Sequence, residues 1–101
     1  MQNHRVHQIE GWYRTESELA ASLKATIVDA EARELLLQAP LDHLADVKTV
    51  LLPNAIKAAS PAETARWFDA AELELGTARR QLIRAQQLVE KYGPSIQLIG
   101  D

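Results

Sequence analysis

Side chains able to do chemistry are few in this chain, and most are carboxylates at helical spacing. Glu31 and Glu34, and Asp69 and Glu72, sit three residues apart, while Asp42 and Asp46 sit four apart. On a helix each pair shares a face, where oxygen ligands can hold a divalent cation. The histidines are His4, His7 and His43, with His4 and His7 at ligand-like spacing but no obvious third ligand. There is no cysteine, so thiol catalysis, disulfides and Cys-ligated metals are excluded. No Gly-rich phosphate loop, nucleophile elbow or Glu-x-x-His di-iron pair is present. No cofactor is expected from the residues alone.

One arrangement carries a resemblance. "EARELL", with Glu31 and Glu34, is similar to the Glu-x-x-Glu pair of the all-α nucleotide pyrophosphohydrolases, and "HLADV" resembles their Glu-x-x-Asp pair, with His43 in place of the glutamate. The resemblance covers about 16 residues, and Pro40 lies between the two pairs. It implies a magnesium-dependent hydrolase using Glu31, Glu34 and Asp46. Solvated helix faces account for the same carboxylates without any metal.

Bulk composition points elsewhere. The 101 residues carry 47% apolar and 5% aromatic side chains, with alanine and leucine dominant, which suits closely packed helices in one domain. A formal charge of −3 gives no electrostatic reason for binding nucleic acid or an anionic membrane. Arg79, Arg80 and Arg84 form only a small basic cluster, so a DNA-binding dimer is a minor alternative. No apolar run approaches the roughly 20 residues of a membrane span, and "MQNHRVHQIEGWYR" has no apolar leader core. A cytoplasmic protein is the default expectation.

The elements that must position these residues read as three helices between two tails. Ser60-Pro61-Ala62-Glu63 is a capping box with proline at the first helical position, and Gly93-Pro94 is a stop. Between them one heptad position reads Phe68, Leu75, Leu82, Val89 and the other Ala71, Ala78, Ala85, Tyr92, a seam of large residues beside small ones. A second capping box at Thr15-Glu16-Ser17-Glu18 predicts a helix over 15–39, bounded by Pro40, with Glu34 in line with its apolar stripe. A third helix over 41–59 carries Leu41, Leu44, Val47 and Leu51, and Pro53 should kink or split it. Residues 1–14 and 93–101 read as short extended tails. Their "RVHQIEG" and "SIQLIGD" segments could pair as a ribbon.

The expected fold is therefore an all-α antiparallel bundle, one domain over 1–101. The long helix would reach roughly 48 Å, against roughly 37 and 28 Å for its companions, leaving part of its seam uncovered. Leu73, Ile83 and Leu88 lie off that seam, as do Val28, Leu35 and Leu36 on the first helix. The charges are also polarised, with Glu63, Asp69, Glu72 and Glu74 in the first half of the long helix and Arg79, Arg80, Arg84 and Lys91 in the second. This order complements the helix dipole and also suits antiparallel pairing with a twin. The function favoured is a non-catalytic scaffold, adaptor or chaperone-like module, acting as a homodimer. Its partner surface would be Leu73, Leu75, Ala78, Leu82, Ile83, Ala85, Leu88, Val89 and Tyr92. Trp12 and Tyr13 could anchor a partner or pack back onto the bundle.

Overall fold

A computed structural model describes Gln2 to Ile96. Four α-helices follow one another: α1 (Gln2–Thr26), α2 (Ala30–Asp46), α3 (Leu52–Lys57) and α4 (Pro61–Tyr92), with a π-helical segment, Val47–Leu51, joining α2 to α3. No strand occurs among the described residues. Since α2, the π segment and α3 are continuous, the fold is all-α with three rods, in a body 52 Å long and 21 by 16 Å across.

Both ends of α4 follow from local chemistry. Ser60 is extended, and its hydroxyl accepts from the Glu63 N–H at 3.1 Å. Gly93 takes a positive φ of 84° and donates its N–H to the Val89 carbonyl at 2.7 Å. A Cβ would strain that backbone, so glycine belongs there.

The first rod departs from the expected boundaries at both ends. No tail spans 1–14, because α1 begins at Gln2 and runs straight through the Thr15 motif. Thr15 is not a cap; its hydroxyl donates to the Gly11 carbonyl one turn earlier, at 3.0 Å. The helical period wins here because Ile9, Glu16, Ala20, Leu23 and Ile27 are all buried along one stripe. With "RVHQIEG" helical, it cannot form the expected ribbon, and residues 97–101 of "SIQLIGD" lie outside the described residues.

The helix expected over 15–39 is divided at 27–29. Ile27 is buried, Val28 donates its N–H to the Pro94 carbonyl at 3.0 Å, and Asp29 caps α2 by accepting from the Ala32 N–H at 2.8 Å. Asp29 carries this start alone, since Ala32 stands where a capping box would have Glu or Gln. Glu34, expected near the core, is exposed.

Neither proline ends the second rod. Pro40 lies inside α2 with its ring fully buried, so packing offsets the missing hydrogen bond. Pro53 stands at the start of α3, just past the π segment, where Leu52 donates its N–H five residues back to Val47. The wider turn leaves room for a ring that would crowd the carbonyl four residues before it in an α-helix.

The rods are consequently closer in length than expected. α1 has 25 residues and α4 has 32, and the continuous second rod spans residues 30–57. At 1.5 Å per residue these are roughly 37, 48 and 42 Å. α1 lies alongside α4 in the same sense: Arg5 meets Glu72 and Asp69, and Val28 meets Pro94, at nearly constant sequence separation. The Arg5 guanidinium also sits over the Phe68 ring, 5.3 Å from its centroid. Asp69 and Glu72 thus hold an arginine.

Two predictions follow from this packing. Arg5→Ala should lower stability by about 1 kcal/mol, combining an ion pair with a cation–π contact, and salt should reduce part of the difference in chemical melts. Gly76→Ala should raise it by about 0.5–1 kcal/mol, since a Cβ there would meet only the Arg80 guanidinium, at an ordinary 3.6 Å; thermal melting checks the sign.

Candidate interaction surface

The expected partner surface separates into two sets. Leu75, Ala78, Leu82 and Ala85 are buried within the chain's own core, with Phe68 and Ala71 beside them. Leu88 and Val89 are half-buried against the same cluster. This corrects the expectation of an unfinished seam. The companions are long enough to cover it because α1 starts early and the second rod passes both prolines. Beyond Ala85 the end of the bundle is closed in part by Ile96, buried after the turn at Gly93.

Leu73, Ile83 and Tyr92 do face outward, at 71%, 36% and 59% exposure. Leu73 stands alone on the far side of α4, consistent with its position on the helical wheel. Val28 and Leu35 are exposed and Leu36 is half-buried. Tyr13 is half-buried against the core while its neighbour Trp12 is exposed.

The surface that sequence periodicity missed lies between α1 and the second rod. Glu10, Tyr13, Arg14, Ser17, Glu18 and Ala21 face Lys48, Leu52, Pro53 and Ile56 across an open, mainly apolar hollow of about 620 Å³. A second hollow of about 370 Å³ continues it, sharing Tyr13, Ser17, Ala21 and Lys48 and extending to Lys24 and Leu41. Ala20, Ala21, Ala45 and Thr49 are small, so the two rods leave space above their contact. Ile56, 68% exposed, stands at one end. The available signal was the 4-3-4-3 spacing of Glu10, Arg14, Ser17, Ala21 and Lys24, which carries no large apolar residue.

The carboxylates with helical spacing lie apart. Glu31 and Glu34 are exposed on α2, and His43 and Asp46 lie 12 residues further along the same helix, roughly 18 Å by helical rise. Among the described residues no group of three His, Asp or Glu converges to hold a metal. His43 instead pairs through Nδ1 with Glu74 Oε1 at 2.8 Å. Burial, and then Asp46, push the Glu74 carboxyl above the usual range, with His43 acting against them. His7 lies 3.6 Å from Glu10. Asp42 accepts from Gln38. Of the three arginines, Arg79 lies beside Glu16 at the edge of α4, and Arg80 donates to Thr77 at 3.2 Å.

Glu16 is the most buried carboxylate, 5% exposed, between Trp12, Leu75 and Arg79. Burial raises its pKa above the ordinary glutamate value, and the Arg79 charge opposes this only in part. A raised folded-state value means its favourable contribution is present below the ordinary value and lost as pH rises through the folded one.

No family model, curated protein or solved structure matches this chain. No helix among the described residues is long and apolar enough to cross a membrane.

Glu16→Gln should be more stable than the parent at neutral pH, with the advantage shrinking as pH falls toward 4.5; melts across that range read the sign. Leu82→Ala should cost about 3 kcal/mol as a core truncation, while leaving any self-association constant of the folded protein unchanged in sedimentation.

Proposed function

We propose that this chain is a non-catalytic helical interaction module, an antiparallel bundle that works through helix–helix contacts and associates with itself. The observation that carries the reading is the open apolar groove between α1 and the second rod, left after the chain has buried its own Ala/Leu seam. A core closed within one chain has no further use for Ile56 at a groove edge. An open groove with a mainly apolar lining is a shape that a partner helix can fill. The exposed Leu35, Leu73 and Tyr92 offer further apolar contact area.

The separation of Glu31 and Glu34 from Asp46 along α2, 12 residues or roughly 18 Å between corresponding members, favours this reading over a magnesium-dependent hydrolase. A net charge of −3 favours it over a DNA-binding dimer. Sedimentation velocity from about 1 to 200 μM, the range in which modest interfaces assemble, tests it. A concentration-dependent shift to a dimer is expected. A single monomeric species throughout would overturn self-association.

A further inference from the structure

The groove has a symmetry that names its occupant. Its α1 wall runs from Glu10 at one end to Lys24 at the other, roughly 21 Å by helical rise. Ser17 is midway between them in sequence and lines both hollows. Reflecting the wall through Ser17 exchanges Glu10 with Lys24, and Tyr13 with Ala21. An acidic end therefore matches a basic end, and a large side chain matches a small one. The exchange requires only a second α1 lying antiparallel to the first. An isologous two-fold contact has this property, since residue i meets j where j meets i.

We infer that the α1–α2 groove is the homodimer interface, with α1 crossing antiparallel to α1 of a second copy about a two-fold axis at Ser17. The inference rests on the interaction-module reading and adds its site and register. Ser17 and Ala21 let the backbones approach closely at the centre, as small residues do at tight helix crossings. Tyr13 of each copy then covers Ala21 of the other. Glu10 of each copy faces Lys24 of the other at the two ends. Arg14 and Glu18, on either side of Ser17, add opposite charges near the middle, and Lys48 brings a further positive charge from the second rod. Among the described residues, Lys24, Arg14 and Lys48 make no salt bridge. Glu10 has only the exposed His7 beside it, at 3.6 Å. These charges are therefore free to set register, with like-charge opposition penalising the alternatives.

Charge reversal and recovery test the register. All the residues changed are outward-facing on α1, and circular dichroism melts confirm that each variant folds. In sedimentation, Glu10→Lys and Lys24→Glu should each weaken the dimer at least tenfold, and the double variant should return to within about threefold of the parent. Because the chain has no cysteine, Ser17→Cys supplies one thiol per copy. A short bis-maleimide should link Ser17→Cys dimers efficiently, and Ser22→Cys, on the opposite side of α1, poorly. A parent dimer whose affinity ignores both single reversals would overturn this interface and leave the interaction module standing. So would a double variant as weak as the singles, or equal linking at positions 17 and 22. A parent that is monomeric throughout would overturn the interface together with self-association.

Discussion

Length matching along the Ala/Leu stripe of α4 is the constraint on which the rest of the structure depends. A 32-residue helix exposes one continuous apolar stripe, and that stripe is covered only if both companions run most of its length. Burial is cumulative: each covered leucine contributes about 1.5–3 kcal/mol, while an uncovered turn contributes nothing. The chain meets this demand from both sides. α1 recruits residues 2–14, and the second rod continues through two prolines. A helix stopping at Pro40 would strand Leu44, Val47 and Leu51 from the register that buries them.

The legible parts of the fold were those fixed by local chemistry. Ser60 and Gly93 bound α4 because each makes its own cap bond, independent of what packs nearby. The all-helical class follows from alanine and leucine content with few turn residues. What misled were local motifs overruled by packing. Thr15 has the composition of a cap, yet Ile9 and Glu16 share a buried stripe, and continuing the helix places both. Pro40 reads as a stop because its N–H is missing, but a fully buried ring outweighs one lost hydrogen bond. Asp29 was overlooked because its cap has no reciprocal glutamate.

The same rule explains the candidate surface. Seam periodicity located the strongest apolar stripe, and in a small bundle the strongest stripe is the core. Leu75, Ala78, Leu82 and Ala85 therefore lie inside, while Leu73 and Tyr92 remain outside. An interface between copies must stay compatible with water when the chain is alone, so its composition is muted. Ser17, Ala21, Lys24 and Lys48 form such a surface, and only the shape left between two packed rods shows it to be a groove.

The π segment has a consequence for how this chain can vary. Buried positions in the second rod recur at intervals of three and four through Leu37, Pro40, Leu44 and Val47, then at four and four through Leu51 and Ala55. A wider turn holds more residues per revolution, so it absorbs the longer intervals and keeps Ala55 inward while Ile56 stays out. Removing one residue there would leave a regular helix in which Ala55 follows Val47 by seven residues, close to two full turns, and so still faces inward. The stretch from Val47 to Leu51 is thus a place where the chain can hold or shed one residue while Leu44 and Ala55 keep their inward facing. Loss of that residue would instead be felt at Pro53, whose ring the wider turn accommodates.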